Sequence, residues 1–257
     1  MIEIDLSGKL ALITGASGQL GRVTARTLAR AGADIALHYH NDKAKAESLE
    51  TEIKSLGVRA GIFQADVTVL DEVLSMQKNI KASLGDPDII INNAVIQYTW
   101  TTILDQNIED YESQFRSCVL HNVNMAKAFV PAMKEKKYGR VIGINTECAM
   151  QNMPTQSAYV AGKRGMDGIL RVLAREVGDC SITVNQVAPG WTITERERAA
   201  ERKGSHSIPD YLDHVALGRR GEDQEVANAV LFLASDLASF ITGVYLPVCG
   251  GFVMPCI

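Results

Sequence analysis

A chain of 257 residues, 46% hydrophobic and 22% charged, is long enough for one large core, and an alternating strand and helix pattern fills that length as a single domain, 1–257. Its formal net charge of -4 argues against a phosphate-backbone partner, so no nucleic acid is expected. The five cysteines, Cys118, Cys148, Cys180, Cys249 and Cys256, show no CxxC spacing and leave an odd number. That pattern points to neither a zinc site nor a disulfide framework and fits a reducing cytoplasm. The acidic start MIEIDLSGK lacks the basic then apolar pattern of an export signal, and no apolar run reaches the roughly 18 residues of a membrane span. A soluble, cytoplasmic protein with no membrane association is the expectation.

The first unit runs from Leu10 to Gly32. Leu10 to Ile13 has the length of a buried parallel strand, and Leu20 to Ala31 places Leu20, Val23, Thr27, Leu28 and Ala31 at helical spacing before Gly32 ends the helix. Between them, Gly15, Gly18 and Gly21 let backbone approach a ligand and leave N-H groups of a helix N-terminus for an anion. A dinucleotide pyrophosphate suits such a turn.

The alternation continues. Ile35 to Leu37 reads as a strand, Ala44 to Ser55 as a charged helix, Ala60 to Gln64 as a strand ending at Asp66, and Leu70 to Ser83 as a helix. Ile89 to Ile91 is a fourth strand running into Asn92, Asn93 and Ala94. In an open parallel sheet the carboxyl ends of the strands form the ligand crevice, so Thr14, Tyr39, Asp66 and Asn92 are expected to border one cleft. One long helix is predicted over Glu109 to about Lys136, a strand over Val141 to Ile144, and a second long helix over Ser157 to Val177. Thr183 to Val187 is a sixth strand, stopped by Ala188, Pro189 and Gly190. The polar, weakly periodic stretch 191–214 reads as a substrate lid within the domain. A helix over Glu222 to Ala234 and a strand over Tyr245 to Val248 complete the pattern. The fold class is α/β, a single-domain Rossmann-like doubly wound parallel sheet of about seven strands.

Tyr159 and Lys163 stand four apart in the helical stretch SAYVAGKRG, so their side chains share one face. A phenol near its ordinary pKa of about 10 is a poor base at neutral pH, and lowering it by roughly three units takes about 4 kcal/mol. One cation at roughly 4 Å and an effective dielectric of about 20 supplies about that much.

With these residues in hand, the chain resembles the classical short-chain dehydrogenase/reductase family over nearly its whole length. TGASGQLG is similar to that family's TGxxxGxG loop, Asp66-Val67 to its adenine contact, NNAV to its NNAG element, YVAGK to its YxxxK and NQVAPGWTIT to its N-x-V-x-PG-x-x-x-T segment. The resemblance implies a nicotinamide-dependent oxidoreductase of carbonyl or alcohol substrates, a reductase of ketones or 3-oxoacyl thioesters, with a small polar or sugar-like substrate as an equal alternative. Tyr159 is then the general acid or base, Lys163 the holder of the nicotinamide ribose, and Thr146, standing at the family's serine, the binder of the substrate oxygen. The implied cofactor contacts come from Gly15, Ser17, Gln19, Leu20 and Gly21 in the loop, from Tyr39 and His40 after the second strand, and from Asp66 and Val67. They are completed by Asn93, Ala94, Tyr159, Lys163, Pro189, Gly190, Thr192 and Thr194.

Three departures accompany the match. The family's helix asparagine, which helps hold a water near the lysine, aligns with Cys118, with Asn122 one turn further on. Gln19 replaces the middle glycine of the loop, and Val95 replaces the glycine of NNAG. These changes leave a second reading, a catalytically decayed dinucleotide-binding regulatory or scaffold protein. The position after the second strand is Tyr39, followed by His40, Asn41 and Lys43, with no carboxylate before Asp42. NADP(H) is therefore expected over NAD(H). Arg22 reads as a surface arginine, and Glu147 as a solvent-facing loop carboxylate or, alternatively, a second acid or a polar recognition group for the substrate. Trp191 is expected to pack on nicotinamide or substrate, or on the lid. His121 and His206 have no paired ligand at a recognisable spacing, so no metal is expected. The resemblance further implies a homotetramer built on the two long helices and the C-terminal strand.

Overall fold

The computed structural model describes residues 4–199 and 210–254. His206, Cys256 and residues 200–209 of the expected lid lie outside the described residues. The first half of the chain alternates β1 (Leu10–Ile13), α1 (Gln19–Arg30), β2 (Asp34–Tyr39), α2 (Lys43–Ser55), β3 (Ala60–Gln64), α3 (Leu70–Ser83) and β4 (Ile89–Asn92). After a 15-residue stretch without regular structure, α4 (Ile108–Gln114), a π-helical segment (Phe115–Leu120) and α5 (His121–Lys136) follow one another directly. Then come β5 (Gly139–Ile144), α6 (Cys148–Gln151), α7 (Ser157–Val177) and β6 (Ile182–Pro189). The remaining elements are β7 (Thr192–Ile193), α8 (Glu195–Ala199), α9 (Tyr211–His214), β8 (Gly221–Glu222), α10 (Asp223–Ala234) and β9 (Tyr245–Val248).

All seven expected strands join one parallel sheet in the order β3-β2-β1-β4-β5-β6-β9, and β7 pairs with β8 in a separate ribbon. Successive residues of a strand point to opposite faces, and both faces are covered, which is why these strands are apolar throughout. Ala11 and Ile13 pack with α1, α2 and α10 on one side, whereas Leu10 and Leu12 pack with α3, α5 and α7 on the other. The order reverses between β1 and β4, whose neighbours run outward in opposite directions, so a crevice opens beyond the carboxyl ends of these two strands.

The helix expected over 109–136 is interrupted by the π turn. A π turn widens the ladder and releases backbone carbonyls. Here His121 Nδ1 donates to Ser117 O at 3.1 Å and Asn122 Nδ2 to Cys118 O at 2.7 Å, so two buried side chains satisfy carbonyls at the wide turn. Hydrophobic periodicity does not register this insertion. The sixth strand also runs two residues further than expected, to Pro189, because Ala188 and Pro189 pair with Pro247 and Val248 of β9.

Candidate active site

At one end of the crevice the backbone does the work. Gly15 has a φ of +61°, and a Cβ there would stand 3.0 Å from Ala94 Cα. A Cβ on Gly21 would lie 2.4 Å from Gly15 O and 2.9 Å from Ala16 Cα, so α1 folds back onto the loop only because residue 21 is bare. The loop is held from below by His38, a residue the sequence reading missed. The Gly15 N-H donates to His38 Nδ1 at 2.9 Å, and His38 Nε2 donates in turn to Ala65 O at 2.9 Å. Both ring nitrogens are engaged in the neutral form, and burial pushes the imidazole pKa down to about 4. A glycine-rich turn announces itself in sequence, but the side chain beneath it comes from a neighbouring strand.

Helix α1 begins at Gln19 after the N-cap Gly18, with no side-chain cap bond and no acidic residue in its first turn. Its positive end is thus left for an anion, and this bare cradle fits a dinucleotide pyrophosphate. Ser17 is partly exposed beside it, and Leu20 packs against the core. Thr14 is fully buried, and its hydroxyl accepts from Asn93 N-H at 2.9 Å and from Ala94 N-H at 3.1 Å. Asn93 Nδ2 answers by donating to Thr14 O and Gly15 O, at 3.0 and 3.1 Å. Gly15 approaches Ala94 closely, and Val95, in place of the family's glycine, packs on the core.

The outer wall is formed where β2 and β3 end. Tyr39 is buried, His40 is exposed, and Asp42 caps α2 by accepting from Lys45 N-H at 3.0 Å while pairing with the Lys45 ammonium. Asp66 accepts from Thr68 N-H at 2.8 Å, and Val67 O accepts from Asn124 Nδ2 at 3.0 Å, which fixes this corner.

At the other end side chains converge. Thr146 follows β5, Tyr159 and Lys163 lie in the first two turns of α7, and the Thr146 hydroxyl is near enough to the Tyr159 phenol to act on its pKa. That hydroxyl also accepts from Cys148 N-H at 3.2 Å, and the Thr146 carbonyl accepts from the Tyr245 hydroxyl. Lys163 is buried, with Nζ donating to Ile144 O at 2.5 Å and lying 5.7 Å from the Tyr159 ring centre. Asn145 Nδ2 holds Lys163 O at 3.2 Å and Gln186 Oε1 at 2.6 Å.

The electrostatics run opposite to expectation. Burial pushes the Tyr159 phenol well above its ordinary value, with the nearby thiols of Cys148 and Cys118 adding to the shift and the Thr146 hydroxyl opposing it. Burial also pulls the Lys163 ammonium down. Desolvation outweighs the single attraction that the four-residue spacing suggested, and the phenol is held neutral. Cys118 occupies the place of the family asparagine, with Sγ 3.9 Å from Gln114 Oε1. Asn122, which also accepts from Asn92 Nδ2 at 2.7 Å, takes its carbonyl.

Two aromatic residues of the stretch after β4 were not singled out in sequence. Trp100 stacks on the Tyr159 ring at 5.9 Å with 27° between planes, and Tyr98 Oη accepts from Tyr159 N-H at 2.8 Å. Glu147 is a correction: it is 3% exposed rather than solvent-facing, and its Oε1 accepts from the Tyr211 hydroxyl at 2.8 Å. Beyond Pro189 and Gly190, Thr192 Oγ1 donates to Gly190 O at 2.9 Å, and Thr194 meets Glu197 through its N-H and hydroxyl at 3.0 and 3.3 Å. Trp191 faces Tyr211 edge-on at 5.2 Å and lies 4.0 Å under the Arg220 guanidinium. Among the described residues no cluster of His, Cys, Asp or Glu has metal-binding geometry.

A glycine cradle at the switch point of a parallel sheet, facing a Thr, Tyr and Lys cluster, defines a dinucleotide-dependent oxidoreductase. Comparison with known proteins agrees. A family model described as enoyl-(acyl carrier protein) reductase matches residues 15–253. The 3-oxoacyl-[acyl-carrier-protein] reductase FabG of Staphylococcus epidermidis is 35% identical, over 96% of this chain and 99% of that protein. FabG of Escherichia coli K12 is 37% identical, over 98% of this chain and all of its own. Among solved structures, a gluconate 5-dehydrogenase from Burkholderia cenocepacia, in complex with NADP and tartrate, superposes with a TM-score of 0.88 at 30% identity, covering 96% of each chain. The chain belongs to the short-chain dehydrogenase/reductase family and is an NAD(P)-dependent oxidoreductase.

Proposed function

We propose that this protein is an NADPH-dependent reductase of ketones or 3-oxoacyl thioesters, with Thr146, Tyr159 and Lys163 as its catalytic residues. The observation that carries this reading is the clustering of Tyr159 with Lys163, whose Nζ lies 5.7 Å from the phenol ring centre, on α7 facing Thr146 at the end of β5. A dihydronicotinamide held in this crevice would supply hydride to the carbonyl carbon. Tyr159 donates its proton to the carbonyl oxygen as negative charge develops there, and Thr146 donates a hydrogen bond to the same oxygen. A phenol that holds its proton at neutral pH suits reduction, since alcohol oxidation needs the phenolate first. Lys163, fixed by Ile144 O, stands one turn away to hold the ribose.

The cofactor is gripped by Gly15, Ser17, Gln19, Leu20 and Gly21 at the pyrophosphate, by Tyr39, His40, Asp66 and Val67 around the adenosine, and by Asn93, Ala94, Pro189, Gly190, Thr192 and Thr194 toward the nicotinamide. The preference for NADP(H) over NAD(H) is supported by the end of β2, where Asp42 is committed to Lys45 and no other carboxylate follows Tyr39. The gluconate 5-dehydrogenase neighbour, solved with NADP, points the same way. A homotetramer is supported by apolar side chains left open on the outer helices, Phe115 and Val172 among them, each more than half exposed. No helix among the described residues is long and apolar enough to cross a membrane, in keeping with a cytoplasmic location.

The test is consumption of NADPH with a panel of ketones, hydroxylated ketones and 3-oxoacyl thioesters. Activity on at least one member is expected. A panel without turnover, in a protein that also fails to enhance NADPH fluorescence, contradicts the reading.

A further inference from the structure

A buried carboxylate sits directly after the proposed oxygen-binding Thr146 and has no role in the proton transfer. Glu147 is 3% exposed, and no cation is among the groups that act on it. Its own N-H donates to Pro189 O at 2.9 Å, so its backbone ties the loop after β5 to the end of β6. Its side chain lies under the next residue: a Cβ on Gly190 would stand 2.7 Å from Glu147 Oε2 and 3.0 Å from Cys249 Cα. The carboxylate thus fills the space that a side chain at position 190 would take, and residue 190 must be glycine for it to fit.

Oε1 of Glu147 accepts from the Tyr211 hydroxyl at 2.8 Å, and the same Tyr211 oxygen accepts from the Trp191 N-H at 2.9 Å. Tyr211 is itself 5% exposed, stacked on Phe252 at 4.8 Å and edge-on to Trp191 at 5.2 Å. One phenolic oxygen therefore joins the backbone of the segment after Gly190 to the residue that follows Thr146. A buried carboxyl group without a counter-charge costs folding free energy unless it is hydrogen-bonded, and here the Tyr211 hydroxyl meets it.

We infer that Tyr211 and Glu147 are a positioning pair for the Gly190-Trp191 turn, which holds the segment from Pro189 to Thr194 in place against the cofactor. The inference rests on the proposed function, because that segment matters only if it meets a nicotinamide cofactor. The pair acts on the Trp191 N-H and leaves the bond from Cys148 N-H to the Thr146 hydroxyl untouched. Its loss weakens cofactor binding more than it slows the proton step.

Three variants test this: Tyr211→Phe, which keeps the ring packing and deletes the shared hydroxyl, Glu147→Leu, and Glu147→Gln, whose amide oxygen still accepts. The readouts are the NADPH Kd from fluorescence titration, and KM and kcat with whichever ketone the parent reduces. Tyr211→Phe and Glu147→Leu are expected to raise the NADPH Kd about tenfold, the size of one net hydrogen bond, with kcat within about threefold of the parent. Glu147→Gln is expected to raise the Kd less than Glu147→Leu does. A Tyr211→Phe protein whose Kd stays within about twofold of the parent, or whose kcat falls while Kd holds, overturns the pair. If Glu147→Leu does not fold, Tyr211→Phe, which deletes one hydroxyl and keeps the packed ring, decides alone: a raised Kd supports the pair and a parental Kd overturns it. A parent that neither binds NADPH nor reduces any ketone instead brings down the functional reading, and the pair with it.

Discussion

The turn between β1 and α1 and the side-chain cluster between β5 and α7 both lie at the carboxyl ends of sheet strands and are assembled differently. The first is made of backbone. Gly15 and Gly21 are bare because main-chain atoms 2.4 to 3.0 Å from their missing Cβ atoms leave no alternative, and the helix end is left uncapped for an anion. The second is made of side chains, buried Thr146, Lys163 and Glu147 with half-buried Tyr159, and desolvation is the largest cause of the pKa shifts of Tyr159, Lys163 and Glu147. The difference teaches that the cofactor end tolerates little change of shape and the chemical end little change of polarity.

The sharpest break of that comparison is at Thr146. Thr146→Val keeps the shape and removes the donor, so kcat/KM is expected to fall about 100 to 1000-fold, the cost of one lost bond to a developing oxyanion. Thr146→Ser should keep most of the rate. A valine variant within a few-fold of the parent would show that polarity at this end is not what matters, and would move oxygen binding to Asn145 or Glu147. At the other end, Gly21→Val forces backbone apart, an overpacking cost of about 1 to 3 kcal/mol. A fall in Tm of roughly 3 to 10 °C is expected by scanning calorimetry, together with lost NADPH binding. An unshifted Tm would mean that the loop is not shape-limited.

A smaller effect links the two ends through pH. His38 and His121 are held neutral by burial, with pKa values near 4 and 3 in the folded chain against an ordinary 6.5. Below pH 6.5 the unfolded chain takes up protons that the native chain refuses, so stability is lost as pH falls toward 4. At pH 5 the loss is about 2 kcal/mol for each histidine. Urea unfolding at pH 7 and pH 5 measures it, and His38→Gln is expected to remove about half of the difference. That comparison separates the histidines from Glu147, whose raised value works in the opposite direction. A His38→Gln protein with the parent's full pH dependence contradicts the assignment of His38 as the neutral prop under Gly15.

The strands were legible because a parallel sheet buried on both faces demands continuous apolar runs, and Leu10–Ile13 and Ala60–Gln64 lie where periodicity places them. The pairing of Tyr159 with Lys163 was legible because four residues is one helical turn. What escaped depends on partners far apart in the chain. His38 supports Gly15 from 23 residues away, and Tyr211 reaches Glu147 across 64. No local pattern encodes either. The direction of the Tyr159 shift escaped for a related reason: spacing gives the distance to one cation, whereas desolvation depends on everything packed around the ring, Trp100 included. The π turn left no trace because its inserted residue is absorbed by His121 and Asn122, whose bonds to Ser117 O and Cys118 O appear only in three dimensions.

The most direct test of the central claim, that Tyr159 is the proton donor of an NADPH-dependent reductase, is single-turnover NADPH oxidation by Tyr159→Phe beside the parent, with NADPH binding followed by fluorescence. The variant is expected to bind NADPH as the parent does and to reduce a cognate ketone more slowly by about 100 to 10,000-fold, the range of a positioned general acid. A Tyr159→Phe protein that oxidises NADPH at the parent's rate would contradict it.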